Sequence, residues 1–148
     1  MLHLSKFLDK IRGEWYSHQT IYFVSKKKVK NYKSNNNIVL NSKQVNDDIF
    51  KNKLKIKYNN KFSDYIVNNK DINYTILKTT SINNYSDYQL YLLNDNFIKV
   101  SSKCKISNID YIEYIYSINI NFRISIIFLK QANKCFAVSL NSCIRKVD

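Results

Sequence analysis

Apolar and polar residues alternate along most of the chain with a period of two, which is typical of β-strands. Clusters of Asn and Asp separate these segments, and both residue types tolerate positive φ, so they can form turns without Gly. About nine or ten strands are too many for one small open sheet, so the pattern predicts an all-β, up-and-down antiparallel barrel. The predicted strands are Trp15–Val24, Ile38–Val45, Phe50–Tyr58, Ile72–Ile82, Tyr88–Leu93, Phe97–Ile106, Ile109–Ile118, Phe122–Lys130 and Cys135–Ile144. The predicted turns are Ser34–Asn37, Asn46–Asp48, Asn59–Asn60, Asn68–Asn69, Asn83–Asn84 and Asn94–Asn96.

The N-terminal segment has a different period. Apolar residues recur there at helical spacing, from Leu4 to Ile11, and Ser5 is a candidate N-cap. Gly13, the only Gly of the chain, follows the last periodic residue, where a left-handed conformation ends a helix. The pattern predicts one short helix, with Trp15 as a large side chain that closes one end of the core.

Length and composition favour one domain over residues 1–148, since 45% of the residues are hydrophobic. No apolar run approaches the roughly 18 residues that a membrane span needs, and we expect neither a span nor a secretory signal. Cys104, Cys135 and Cys143 lack C-x-x-C spacing, so we expect free thiols and no metal site.

The formal net charge is +13 and comes mostly from Lys. From Lys51 to Lys57 the lysines alternate with apolar residues, which favours a solvated face over a polyanion-binding patch. A basic surface still favours an acidic protein partner. A nucleic-acid-binding barrel is the weaker interpretation, because the tyrosines lie mostly at core-like positions.

The last three predicted strands carry polar residues at one parity and apolar residues at the other. The polar parity is either the outer surface or the lining of a cavity. Small residues there, and two of the three arginines of a lysine-rich chain, favour a lining that recognises carboxylates. The polar parity contains Glu113, Ser117, Asn121, Arg123, Ser125, Ser139, Asn141, Cys143 and Arg145.

Three motifs in order resemble the S-type (CpcS/CpeS-like) phycobiliprotein chromophore lyases. They are Gly-x-Trp-x-Ser-x-x-Thr from Gly13 to Thr20, Glu113 followed by Asn-Phe-Arg at 121–123, and Ala-x-Ser-x-x-Ser-x-Ile-Arg from Ala137 to Arg145. The resemblance implies a calycin-like barrel, similar to that of fatty-acid-binding proteins, with a helix at its mouth. It also implies an enzyme that binds a phycobilin, phycoerythrobilin or phycocyanobilin, as substrate and joins it through a thioether to a cysteine of an apo-phycobiliprotein subunit.

The resemblance also implies roles for individual residues. Arg123 and Arg145 would hold the bilin propionates, and Glu113 would accept hydrogen bonds from pyrrole N–H groups or manage a proton. Glu113 and Arg123 are the candidate catalytic residues. The other candidate bilin-binding residues are Trp15, Ser17, Tyr22, Asn121, Ser139 and Arg145. No cofactor is implied beyond the bilin substrate, and pairing with a second copy is left open.

The chain departs from the usual family pattern at His18-Gln19, at Tyr22-Phe23 and at Cys143. Cys143 is either an inert thiol or a covalent way station for the bilin. The family and the A/T-biased composition favour a plastid stroma and a plastid gene, with a cyanobacterial cytoplasm as the alternative. The alternative function is a non-catalytic carrier of a bilin, fatty acid or other hydrophobic carboxylate in the same barrel.

Overall fold

The computed structural model describes residues 4–46, 49–58, 61–70, 73–78, 88–104 and 108–147, with side chains at 6–7, 9–38, 89–103 and 108–147. One short helix precedes ten strands, and each strand pairs antiparallel with the next. β10 pairs with β1, so the sheet closes into a barrel and confirms the predicted calycin-like class. The elements are α1 (Leu4–Ile11), β1 (Gly13–Phe23), β2 (Lys28–Asn46), β3 (Ile49–Tyr58), β4 (Lys61–Lys70), β5 (Asn73–Lys78), β6 (Tyr88–Asn94), β7 (Phe97–Cys104), β8 (Ile109–Asn119), β9 (Phe122–Gln131) and β10 (Lys134–Arg145).

The asparagine clusters are poorer turn markers than the sequence suggested. Ser34–Asn37 is continuous strand inside β2, where β1 and β3 pair with the main chain from both sides. Asn68–Asn69 likewise lies inside β4, a strand that the sequence analysis did not predict. Asn94–Asn96 does form the predicted turn between β6 and β7. Residue 46 of the predicted turn Asn46–Asp48 ends β2. Residues 47–48, 59–60 and 83–84 of the predicted turns, and residues 72, 79–82 and 105–106 of the predicted strands, lie outside the described residues.

The helix ends as predicted but does not begin as predicted. Ser5 is helical in α1, so the expected N-cap role is wrong. Gly13 has a φ of 116°, a conformation that strains any residue with a Cβ, and it passes the chain from α1 into β1. A Cβ at this position would also overlap the Nη1 atom of Arg145. Gly13 is therefore required by its own conformation and by a neighbouring side chain.

α1 covers one end of the barrel. Phe7 and Trp15 are each only 1% exposed, and Ile11 packs against the cluster formed by Trp15 and Ile38. Nζ of Lys10 donates hydrogen bonds into the β6–β7 turn, 3.1 Å to a main-chain carbonyl and 2.7 Å to an Asn side chain. The β1–β2 and β9–β10 turns form the opposite end of the barrel.

The barrel interior has walls of different character. On β6 and β7 the buried side chains are apolar, as at Leu90 and Ile98. On β8–β10 the buried parity is the polar one, with Ser139 5% exposed, whereas Leu140 beside it is 52% exposed. The structure thus decides the question left open by the sequence, because the polar parity lines the interior. Within the described residues, no helix has the length and hydropathy needed to cross a membrane.

Candidate functional site

Two arginines lie over one buried indole ring at the helix-covered end of the barrel. The Cζ atoms of Arg123 and Arg145 are 4.5 and 4.3 Å from the ring centroid of Trp15, within cation–π range. The indole Nε1 donates a 2.8 Å hydrogen bond to the carbonyl of Ile11 at the end of α1. The ring is therefore fixed by the helix and is a rigid platform for both guanidinium groups.

Arg145 uses its guanidinium nitrogens in hydrogen bonds to main-chain carbonyls. Its Nε donates to the carbonyl of Ile120 at 2.9 Å, its Nη2 to the carbonyl of Lys10 at 2.5 Å, and its Nη1 to the carbonyl of Arg12. A cation at the C-terminus of a helix also interacts favourably with the helix dipole. Partial burial, together with the charges of Arg123 and Arg12, lowers the pKa of Arg145 from its ordinary value. This geometry makes Arg145 the residue that fastens α1 to β10.

Arg123 has no such hydrogen bonds to main-chain carbonyls within the described part of the chain. It projects inward from β9 opposite Cys143 and contacts Trp15, and it forms no hydrogen bond or salt bridge with another described side chain or carbonyl. A partly buried guanidinium with unused donors suits bidentate binding of a planar carboxylate.

A chain of side-chain hydrogen bonds crosses the polar wall. Gln19 Nε2 donates to Ser139 Oγ at 2.9 Å, and Ser139 Oγ donates to Asn141 Oδ1 at 3.1 Å. Asn141 Nδ2 then donates to Ser125 Oγ at 3.0 Å. Each link joins neighbouring strands or neighbouring positions of one strand, so the alternation of the sheet places all four side chains in line.

The chain ends on Glu113 of β8. Ser125 and Tyr111 both donate to its carboxylate, the latter at 2.8 Å to Oε1. Burial raises the pKa of Glu113 above its ordinary value, while the two hydrogen bonds and the charge of Arg123 act in the opposite direction. A carboxyl group in this environment can take up and release a proton closer to neutral pH than an exposed Glu.

A second polar cluster lies near Trp15. Asn36 Nδ2 donates to Ser17 Oγ at 2.7 Å, and that oxygen is 3.1 Å from the Sγ atom of Cys143. Oδ1 of Asn36 is buried and has no hydrogen-bond partner among the described residues. A buried acceptor without a donor is costly, so this atom is a candidate contact for a ligand N–H group.

Most of the predicted site residues face one interior. Glu113 lies at the end of the hydrogen-bond chain. The other predicted residues that face the barrel interior are Trp15, Ser17, Arg123, Ser139 and Arg145. Two do not.

Tyr22 lies on the outer parity of β1 and is 41% exposed, because it is an odd number of residues from Trp15. Asn121 is an exposed residue of the β8–β9 turn, where its main-chain carbonyl accepts a hydrogen bond from the main-chain N–H of Arg145. Neither side chain is placed in the interior, so the ligand contacts expected of them are not supported.

Some interior polar residues were given no individual role in the sequence analysis, although they share the parity of the predicted ones. They are Gln19, Asn36, Tyr111, Ser125 and Asn141.

Comparison with known proteins identifies the family. No family model matches the sequence. A protein of Gracilaria tenuistipitata var. liui, described as a chromophore lyase CpcS/CpeS homolog, is 30% identical over 145 residues, which cover 93% of this chain and 94% of the relative. The chain belongs to the CpcS/CpeS-like chromophore lyase family. The resemblance seen in the motifs is thereby confirmed.

A solved structure supports the fold of this CpcS/CpeS-like protein independently. The crystal structure of a protein of unknown function from the DUF3598 family of Nostoc punctiforme PCC 73102 superposes with a TM-score of 0.64 at 15% identity. The match covers 94% of this chain and 49% of the other, so the chain spans about half the length of that protein. At this identity the likeness concerns the fold alone.

Proposed function

We propose that this protein is a chromophore lyase that binds a phycobilin inside the barrel and attaches it through a thioether to a cysteine of an apo-phycobiliprotein subunit. The observation that carries the proposal is the presence of two groups in the interior: Glu113, on which a hydrogen-bond chain converges, and Arg123, whose guanidinium acts on Glu113 through its charge but forms no hydrogen bond or salt bridge with another described residue. Membership of the CpcS/CpeS-like family supports the same reaction class.

The two groups match the chemistry of an open-chain tetrapyrrole. Such a molecule offers a large apolar surface, two propionates and a row of pyrrole nitrogens, so its site needs apolar walls and a few directed polar groups. In our proposal Arg123 binds a propionate, and Ser17 and Ser139 orient polar edges of the ligand. Each charge-assisted hydrogen bond contributes about 1.5–3 kcal/mol, which is enough to fix one orientation, and apolar burial supplies most of the affinity.

Thioether formation is an addition without redox change. The acceptor thiolate forms an S–C bond at the A-ring ethylidene, and the carbon–carbon double bond of that group is consumed. The proton lost from the thiol is balanced by one proton gained by the bilin ring system. We propose that Glu113 supplies this proton and is reprotonated from solvent, since burial already favours its protonated form. The protein contributes orientation as well, because one bilin carbon is presented to one thiol.

Coexpression with an apo-phycobiliprotein subunit and a bilin-producing pathway tests the proposal. Covalent colour on the subunit, with the attachment cysteine found in a peptide digest, is the expected result. A protein that binds bilin, shown by a changed visible spectrum, but leaves the cysteine unmodified would be a carrier and not a lyase. An unchanged spectrum at micromolar protein would exclude bilin binding altogether.

Arg123→Ala tests the assigned carboxylate contact, and Arg12→Ala is its matched control. Arg12 is also an arginine, but its side chain is 61% exposed on the outside of the helix region. We expect Arg123→Ala to weaken bilin binding about tenfold or more and Arg12→Ala to leave it unchanged. Equal binding by both variants would exclude the propionate role.

For the cellular location, we propose a plastid stroma, or a cyanobacterial cytoplasm, within phycobilisome assembly.

A further inference from the structure

The outer surface of β8, β9 and β10 is mostly apolar, and it continues onto β1 at Tyr16 and Tyr22. On β8, β9, β10 and β1 the parity that faces outward carries large hydrophobic side chains, and the pairing register brings those of neighbouring strands side by side. We call this surface the outer apolar face and define it by its six exposed members. They are Tyr16, Tyr22, Tyr116, Ile126, Leu140 and Ile144, which are 38–57% exposed.

This face is large enough to be the centre of an interface. Four strands at about 4.8 Å spacing and six residues along β1 at about 3.3 Å each cover on the order of 400 Å² of sheet, an area that also includes the outward polar residues His18, Thr20 and Ser142. The largest apolar patch on a typical monomer is about 300–600 Å² and is often functional. A standard interface buries roughly 800 Å² per partner, so the outer apolar face would form its apolar core and a polar rim would supply the rest.

The rim carries positive charge. Lys146 Nζ lies 4.4 Å from the ring centroid of Tyr16 at one border, and Lys99 Nζ lies 6.0 Å from that of Tyr114 at another. Lys33 of β2 is paired with His18 at a third border. The acidic side chains along these borders are few, with Glu14 near the helix end and Asp110 at the opposite end. The formal net charge of +13 adds to this local field.

We propose that the outer apolar face docks the acceptor of the bilin, a protein whose contact surface is acidic around an apolar centre. This inference rests on the proposed function for the identity of the acceptor. Charge complementarity favours an acidic protein over a second copy of this chain, because two copies would bring like charges together at the rim. The face runs from Tyr16 and Ile144 near the α1 end to Tyr22 near the β1–β2 turn, so a docked protein would lie along the side of the barrel.

A double substitution, Leu140→Gln with Ile144→Gln, tests the contact, because both side chains point outward and away from the interior site. The matched control is Leu93→Gln on β6, where the side chain is 47% exposed but lies outside this face. The probe is an immobilised apo-phycobiliprotein subunit without bilin. We expect at least about tenfold weaker binding by the double variant and unchanged binding by the control. We also expect wild-type binding to weaken as NaCl is raised.

Two further readouts keep the outcomes distinct. The bilin spectrum of the double variant should match that of the wild type, and in transfer assays its apparent KM for the acceptor should rise while kcat is retained. If wild-type protein neither binds bilin nor modifies the subunit, the proposed function fails, and docking is still measured by direct binding. Acceptor binding by the double variant at wild-type strength would overturn the inference. So would a wild-type dimer that the double substitution disrupts, or binding to phosphatidylglycerol vesicles in place of the protein.

Discussion

The guanidinium of Arg145 lies over the indole of Trp15, with Cζ 4.3 Å from the ring centroid, while its nitrogens donate to carbonyls at the end of α1 and in the β8–β9 turn. This single side chain therefore joins the helix, the first strand and the last strand. Arg123 contacts the same ring at 4.5 Å without such bonds among the described residues. The two arginines share a platform, but only Arg145 uses its donors in hydrogen bonds to other described residues.

The first prediction separates the stability roles of the two arginines. Arg145→Lys should lower the free energy of unfolding by about 2–3 kcal/mol, because Lys cannot reproduce a planar fork of donors to several carbonyls. Arg123→Lys should cost less than about 1 kcal/mol, since it loses only the ring contact. Urea unfolding followed by tryptophan fluorescence measures both. Equal losses would contradict the assignment of Arg145 to the architecture and Arg123 to the ligand.

The second prediction concerns Gly13. Gly13→Ala should destabilise the protein by about 2 kcal/mol, because a residue with a Cβ is strained at positive φ and the added methyl group displaces the Arg145 side chain. Glu14→Ala at the adjacent exposed position is the control and should have little effect. In a double-mutant cycle with Arg145→Ala, the double variant should lose less stability than the sum of the two single losses, by about 0.5 kcal/mol or more. Strict additivity would indicate that the overlap with Arg145 carries no energy.

The third prediction uses the ionisation of Glu113. Because burial raises its pKa in the folded state, the folded protein binds a proton more tightly than the unfolded chain. Glu113 therefore favours folding below its unfolded pKa of about 4.3, and this contribution is lost as pH rises towards the folded pKa. Glu113→Gln should remove that part of the pH dependence and should unfold at a higher urea concentration than the wild type at pH 7.

Urea midpoints at pH 4 and pH 7, measured for both proteins, check this prediction. Asp110→Asn, which removes a carboxylate outside the interior hydrogen-bond chain, is the control for general charge effects. A wild-type pH slope that Glu113→Gln leaves intact would show that other groups produce it. In the transfer assay, Glu113→Gln should also slow thioether formation while bilin binding persists, if the carboxyl group moves a proton.

The fourth prediction concerns the buried Oδ1 atom of Asn36, which has no partner among the described residues. Asn36→Ala removes a costly unpaired acceptor and also one hydrogen bond to Ser17, and these two effects are of similar size and opposite sign. We expect a change in unfolding free energy within about 1 kcal/mol, together with weaker bilin binding. Absorbance titration with bilin and urea unfolding distinguish the two effects. A large loss of stability with unchanged binding would make Asn36 a structural residue only.

The fifth prediction concerns the cysteines. Cys143 is 7% exposed with its sulfur 3.1 Å from Ser17 Oγ, whereas Cys135 is half-buried near the β9–β10 turn. Iodoacetamide should therefore modify Cys135 well before Cys143 in the folded protein, as read by peptide mass spectrometry. Cys143→Ala should retain bilin transfer, because the sulfur serves packing. Loss of transfer by Cys143→Ala, with a bilin adduct on Cys143 in the wild type, would instead identify Cys143 as a transient covalent attachment site for the bilin.

Strand pairing explains where sequence reasoning failed locally. An Asn cluster such as Ser34–Asn37 has turn-forming composition, but its main chain is paired by strands on both sides and stays extended. The same register placed Asn36 in the interior, a role that its surroundings in the sequence did not indicate. Tyr22 was assigned to the site through the family resemblance, yet the alternation along β1 places it outside.

The sequence by itself determined the class of fold, the helix end at Gly13 and the family, because alternation, a lone Gly just past the helical periodicity and ordered motifs are all local properties of the chain. Tertiary structure alone decided which parity of β8–β10 faces inward, since both faces of an isolated strand are equivalent until the sheet closes. It also decided that Arg145 holds α1, because the partners of Arg145 are main-chain carbonyls more than a hundred residues away or in the β8–β9 turn. Long-range contacts of this kind leave no periodic signal in the chain.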